Sequence, residues 1–374
     1  MITQQLVYSG ERPVIPFSID PDLIVVFGCR TLLERSTFAA QLRIIYPKAI
    51  FSGCSTAGEI AGETVADGTV VVTGIQFKNT PLSSATIALS DADFNSYEAG
   101  KKLVSQLPKA GLKHVFVISD GIRVNGTYLV KGMREALTPD VAITGGMAGD
   151  GSTYSKTILL EPDGNLASEK VAAIGFYGDS ISVGFGSRGG WNSFGLERIA
   201  TKSEGNVLYE IDGLPALDLY KSFLGEHTKA LPISGLLFPF SMRKNKESDP
   251  VARTILGISE KEKSISFAGD IPQGSFIRLM RANNDRLIAG AGEAASVCID
   301  DTGKMPEFAI LISCIGRKLV LKQIVEEEVE NVSEVLHTPT MTGFYSYGEL
   351  APFNKNTFCE LHNQTMTITT FREN

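Results

Sequence analysis

Cysteine, histidine and tryptophan are scarce in this chain: its 374 residues include five cysteines, four histidines and one tryptophan. Cys29, Cys54, Cys298, Cys314 and Cys359 stand singly, with no C-x-x-C pair and an odd total, a pattern that argues for reduced thiols and against a zinc cage. Any imidazole chemistry must draw on His114, His227, His337 and His362. No apolar run reaches the roughly 18 to 20 residues that cross a bilayer, and the start, MITQQLVYSGERP, has no basic segment leading into an apolar one. A cytoplasmic location without membrane insertion is the expectation. A basic excess is also missing, since 35 Lys and Arg face 42 Asp and Glu for a net charge of −7. With no basic stripe, nucleic acid is not an expected partner.

What is present is ordinary globular composition, 43% hydrophobic and 21% charged, in a chain long enough for two cores. LIVVFG (23–28) and AIFS (49–52) read as strands around a helical stretch from Thr31 to Tyr46. TVVVTGIQF (69–77), SSATIAL (83–89), HVFVIS (114–119) and VAIT (141–144) are further strands. Ser96 to Leu107 and Thr127 to Leu137 carry helical spacing. From about 153 to 211 the alternation is that of antiparallel strands. A helix over 214–225 follows, ended by Gly225, and then a strand-rich section to about 281. Asp285 to Val297 reads as helix, EFAILISC (307–314) as a buried strand and Arg317 to Leu336 as helix. The fold expected is mixed α/β (α+β) in two associated halves, 1–213 and 214–374, with mixed and antiparallel sheets flanked by helices.

A turn recurs along the chain. Gly53-x4-Gly58-Glu59 matches Gly343-x4-Gly348-Glu349, and a shorter relative runs from Gly145 to Asp150. Each places glycines and an acid after a β-type segment, where glycine permits positive φ and close backbone approach. The repetition predicts a pseudo-duplicated chain with the turns near a two-fold axis and one ligand cleft between the halves.

In order, GCSTAGEI (53–60), FVISDG with VNG (116–126), TGGMAGDG (144–151), GFGSRGGW (184–191), EIDGLPALDLY (210–220), SCIGR (313–317), GFYSYGEL (343–350) and HNQTMTI (362–368) resemble the FIST family of bacterial sensory modules. The resemblance covers nearly the whole chain. It implies a FIST N-type domain over 1–213 and a FIST C-type domain over 214–374, and a sensor of small ligands such as amino acids. A similar branch, the NosP proteins, senses nitric oxide through haem and regulates a histidine kinase or a cyclic-di-GMP enzyme. With no kinase segment left over, the chain is expected to be a stand-alone sensor whose output passes through such a partner.

The residues singled out for ligand binding are Ser55, Thr56, Glu59, Asp120, Asn125, Gly146, Asp150, Trp191, Tyr345 and Glu349. Cys54 reads either as a nucleophile or as a small residue in a turn whose backbone matters more. The second reading is the expectation, with no catalytic residue assigned. For haem, His227 beside LPISGLLFPF is the first axial candidate and strand-start His114 the second. His362 is expected to join Asn363 and Gln364 in a polar network. Glu326, Glu327, Glu328 and Glu330 read as a solvated helix face, and Arg243, Lys244, Lys246 and Arg253 as a charged loop.

Overall fold

A computed structural model describes residues 1–10, 12–35, 37–299, 303–337 and 340–374. The run LIVVFG forms strand Leu23–Gly28, buried throughout, and pairs in parallel with Ile50–Ser55 across a helical connection. The same unit appears twice more, Leu112–Ser119 with Ala142–Met147 and Phe308–Cys314 with Met341–Ser346. The first strand of each pair is dense in branched apolar residues, as a strand covered on both faces must be, while its parallel partner carries small residues and a central glycine.

These pairs are the centres of three modules. In the first, Ile2–Tyr8, Val70–Gln76, Leu23–Gly28 and Ile50–Ser55 lie side by side; in the second, Leu82–Ala88, Lys170–Tyr177, Leu112–Ser119 and Ala142–Met147 take the same order. The third repeats it with Ile181–Arg188, Met366–Glu373, Phe308–Cys314 and Met341–Ser346. Each sheet is completed to six strands by a short hairpin from another module. Glu59–Ala61 and Thr64–Ala66 of the first join the third, Leu159–Leu160 and Leu166–Ala167 of the second join the first, and Gly348–Ala351 and Glu360–His362 of the third join the second. The exchange is cyclic. The anticipated two-fold duplication is therefore corrected to a three-fold one, and the short motif at 145–150 is the third copy rather than a chance relative.

The glycine that opens each turn has one structural cause. A Cβ on Gly53, Gly145 or Gly343 would lie 1.9, 1.8 or 1.9 Å from the carbonyl oxygen of Val26, Val117 or Leu311 on the neighbouring parallel strand. Only glycine fits at that distance. Just beyond, the three turns close a ring of backbone hydrogen bonds. Ala57 N donates to Tyr345 O (2.8 Å), Gly149 N to Ser55 O (2.8 Å) and Tyr347 N to Met147 O (3.2 Å).

The third module is interrupted between Ile181–Arg188 and helix Asn284–Cys298 by an inserted body, residues 192–281. It has its own core, including Leu208, Leu217, Tyr220, Phe240, Ile265, Phe267 and Ile277, around strands and helix Ala216–Leu224. Residue 214 falls inside this insert, just after strand Val207–Ile211, so the sheets run across the 213/214 division. Two long helical stretches are each broken. Residues 31–46 become Arg30–Arg35 and Phe38–Ile45, with position 36 outside the described residues. Ile315–Leu321 is capped by Lys322 at φ +53° before Glu326–Leu336 begins. No helix among the described residues is long and apolar enough to cross a membrane.

Candidate functional site

Glu59 and Glu349 are held by the same constellation in two modules. Thr56 Oγ1 donates to Glu59, as do Thr69 N (3.0 Å) and Oγ1 (2.7 Å). Ser346 Oγ (2.7 Å), Thr365 N (3.3 Å) and Thr365 Oγ1 (2.9 Å) do the same for Glu349. Both acids are buried, and desolvation pushes both carboxyls upward, Glu349 to about 8. These donors oppose the shift without cancelling it. The acids therefore pin the turns to the starts of strands Val70–Gln76 and Met366–Glu373. Asp150, one position earlier in its turn, has other partners: Arg30 Nε (2.8 Å), Ser155 Oγ (2.8 Å) and Lys156 N (3.2 Å).

Where the modules meet, at the carboxyl ends of the parallel strands, there are three equivalent junctions. At the first–second junction Arg30 bridges to Asp150. At the third–first junction Lys318 Nζ donates to Ala57 O (3.0 Å) and to Asp67. At the second–third junction lies a cavity of about 310 Å³, roofed by the insert. Its walls include Gly121 to Asn125, Cys314 to Gly316, Tyr154 and Tyr347, with Thr254, Leu256 and Phe267 from the insert. The rings of Tyr154 and Tyr347 stack 4.4 Å apart. Thr254 is 5% exposed, and its Oγ1 has no hydrogen-bond partner among the described residues. Cys314 is a buried thiol whose proton burial holds tightly, although N–H groups of Gln364 and Gly316 oppose the shift.

Of the ten residues expected to bind ligand, Asn125 alone lines this cavity. Its side chain is already committed: Oδ1 accepts from Thr127 N and Tyr128 N at the start of helix Gly126–Ala136, and Nδ2 donates to Asp270. Asp120 sits just behind the wall, accepting from Ile122 N, Arg123 N and Thr157 Oγ1. Ser55 Oγ accepts from Ile158 N, and Thr56 serves Glu59. Gly146 packs on the third module's sheet, where a Cβ would meet Ile312 at 2.8 Å. Trp191 Nε1 donates to Gln364 O, and its ring borders a different cavity beside Arg188 and Phe353. Tyr345 is fully buried and donates to Glu328. These groups build the frame of the junctions rather than the surface of the cleft.

The residues that form the surface carried weaker signals. Tyr347 and Cys314 lie inside the motifs GFYSYGEL and SCIGR, and Tyr154 follows TGGMAGDG. Thr254 and Leu256 had no local signal, because only the fold of the insert brings them over the cleft.

Four other sequence expectations are revised. Cys54 belongs to strand Ile50–Ser55 rather than to the turn, and burial raises its thiol well above the ordinary range. Glu328 is wholly buried, bonded to Arg317 at 2.6 Å, while Glu326, Glu327 and Glu330 are exposed. Arg253 is buried, donating to Asp270 O and Leu361 O. His362 Nε2 bonds Ala351 O, but its Nδ1 and the side-chain amides of Asn363 and Gln364 have no partner among the described residues, so they do not satisfy one another.

The histidines named for haem occupy opposite settings. His227 is exposed on the 3₁₀ turn Gly225–Ala230, with its ring 5.0 Å from that of Phe238. His114 is 1% exposed, and burial drives its imidazole down to about 3, which keeps it neutral. Its Nε2 bonds Thr144 Oγ1 at 2.9 Å, its Nδ1 is unpartnered, and it borders a cavity of about 530 Å³ with Ile181, Val183, Phe185 and Phe358.

The architecture is therefore three modules that exchange hairpins, an insert over one junction, and a cleft at the strand ends. The chain matches the FIST N domain over residues 22–214 and the FIST C domain over residues 216–352. It belongs to the FIST family, whose domains are sensory. It is similar to an uncharacterised protein of Methanocaldococcus jannaschii, at 22% identity over 79% of this chain and 63% of the relative. The chain thus spans less than two thirds of that relative's length. A chorismatase crystal structure aligns over 99% of this chain and 98% of its own at 8% identity, with a TM-score of 0.35.

Proposed function

We propose that this protein is a sensor of a small organic ligand of amino-acid size, bound in the cleft between the second and third modules and the insert. The observation that carries the reading is the cavity itself. At about 310 Å³ it falls at the small end of the usual 300–1,000 Å³ range for ligand sites. It presents the stacked rings of Tyr154 and Tyr347, and its walls come from both FIST domains. A ligand there bridges insert and modules, so binding shifts the insert's position and the surface offered to a partner. By family resemblance, that partner is a histidine kinase or a cyclic-di-GMP enzyme.

The test is thermal unfolding across a panel of amino acids and related small metabolites. A ligand at about 100 times its Kd stabilises by roughly 2.7 kcal/mol, a readily measured rise in Tm. Leu256→Trp fills the cleft from the insert side, where Leu256 is 52% exposed. The rise is expected in the parent protein and absent in that variant. A panel that leaves Tm unchanged throughout would sink the proposal.

Haem-dependent nitric oxide sensing is the second reading, and His114 rather than His227 carries it. The neutral imidazole of His114 has an unpartnered Nδ1, as an iron ligand needs, but the cavity it borders mixes Ile181, Val183 and Phe185 with Lys113, Arg134 and Asp140. Haem, when bound, would supply an iron site for nitric oxide. The enclosure of His114 and its bond to Thr144 place this reading behind the first. Reconstitution checks it: a Soret band lost in His114→Ala and kept in His227→Ala supports haem at this site.

A further inference from the structure

The motif GFGSRGGW (184–191) ends in a turn that the cleft does not use. Strand Ile181–Arg188 stops there, and the insert begins directly after it with strand Asn192–Glu204. The Gly-Gly step is held from two sides. Gly189 O accepts from the buried Arg317 at 2.6 Å, and Gly190, at φ +72°, lies so close to helix Asn284–Cys298 that a Cβ would stand 2.0 Å from Arg286 O. Glycine alone satisfies both conditions at that point. Trp191 is then fixed by its ring nitrogen, which donates to Gln364 O at 2.7 Å. The turn sets Arg188 and Trp191 on one rigid frame.

Both residues line a cavity of about 340 Å³ between the third module and the insert, and it shares no residue with the cleft. Val251, Ala252 and Met280 of the insert contribute to its walls, as does Phe353 from the third module's hairpin loop. The Phe353 ring is steadied by His362, whose ring stands perpendicular to it at 4.6 Å. Arg188 is half-buried and has no acid. Its Nη1 donates to Ser187 O (2.8 Å) and Phe353 O (3.2 Å), while Nε and Nη2 have no partner among the described residues and are not sealed from solvent. Arg30, Arg243 and Arg317, by contrast, each meet a carboxylate. Asp249, the cavity's one acid, is exposed and does not pair with Arg188.

We propose that this cavity is a second binding site, built for an aromatic carboxylate. Nε and Nη2 lie along one edge of the guanidinium, and that edge takes the two oxygens of a carboxylate side by side. The ring of the ligand packs against Trp191 and Phe353, where aromatic contacts add to the area buried. A single guanidinium in a cavity that also carries Asp249 favours a monoanion over a phosphate, whose second charge would go unmatched. The site stands apart from the cleft and does not rest on the reading given for it.

Trp191 is the chain's one tryptophan, so the site carries its own reporter. Tryptophan emission of the full chain is titrated with hydrocinnamate, with its neutral amide and with butyrate. Hydrocinnamate is expected to change the emission saturably, and the other two to bind at least about tenfold more weakly, since one lacks the charge and the other the ring. Arg188→Met is expected to lower hydrocinnamate affinity at least about tenfold. Ala252→Phe, which fills the cavity from the insert, is expected to abolish the response, and it decides the matter if circular dichroism shows that Arg188→Met does not fold. Calorimetry on Leu256→Trp, which blocks the cleft instead, is expected to find hydrocinnamate binding intact. No response to hydrocinnamate, an amide or butyrate that binds as tightly, or full affinity in folded Arg188→Met or Ala252→Phe overturns the proposal. Binding lost in Leu256→Trp and kept in Arg188→Met places the ligand in the cleft, which overturns the second site and leaves the small-ligand reading standing.

Discussion

Glu349 and Glu328 show how differently two fully buried acids can be used. Glu328 meets the guanidinium of Arg317 and accepts also from Ser313 and Tyr345, while Arg317 donates in addition to Gly189 O and Leu287 O. The pair joins helices and sheet of the third module, so Glu328→Gln, which strands the buried Arg317 charge, should cost about 3–5 kcal/mol in denaturant unfolding. Glu349 has only neutral donors, and burial raises it from 4.5 to about 8. Its folded form retains a proton that the unfolded chain has lost, so its contribution to stability is complete below about 4.5 and declines as pH rises through 8. Two histidines act in the opposite sense. His114 and His362 fall from 6.5 to about 3 and about 4, so the unfolded chain takes up more protons and stability drops as pH falls below 6.5. Between pH 6.5 and 8 the histidine effect is spent and that of Glu349 is not. Stability should decline across that window, and Glu349→Gln should flatten the decline in a series of unfolding curves.

At the scale of elements, the recurring glycine is a condition for pairing parallel strands in each module. Gly53→Ala, Gly145→Ala and Gly343→Ala each drive a methyl into a carbonyl oxygen on a central strand, and backbone cannot swing aside as a side chain can. Each should lose about 3 kcal/mol or more. Gly62→Ala is the control: its φ is +57° with nothing within 4 Å of the added carbon, so it should cost only about 1 kcal/mol. These glycines also mark where the sequence was legible. Local pattern located the parallel strands, the helices at 96–107 and 127–137 and the turns, because their periodicity and glycine spacing are properties of short segments. It did not reveal three-fold order, since the second copy's turn carries Asp150 one position early and a longer loop before its hairpin. The cleft was still less legible. Conspicuous polar residues such as Glu59, Glu349 and Tyr345 are conspicuous because burying them demands an elaborate set of partners, whereas the cleft surface is made of ordinary residues from many separate segments.

For the whole molecule, the insert is the element that makes the junctions unequal. Its two ends meet, for Asn192 and Arg281 are partners in an antiparallel pair, and its core is separate from those of the modules. The hairpin exchange and the ring of turns lie outside it. Excising residues 193–280 and joining the ends through a short turn should therefore leave the modules folded, with cooperative unfolding and native-like protection of strands such as Leu23–Gly28 and Phe308–Cys314 in hydrogen exchange. The same excision removes Thr254, Leu256 and Phe267 from the roof of the cleft. Ligand-dependent stabilisation should vanish while the fold survives. A shortened protein that stays folded and still gains the full rise in Tm would show that the ligand sits elsewhere, whereas collapse of the modules would show that the insert supports the three-fold core as well as covering its open junction.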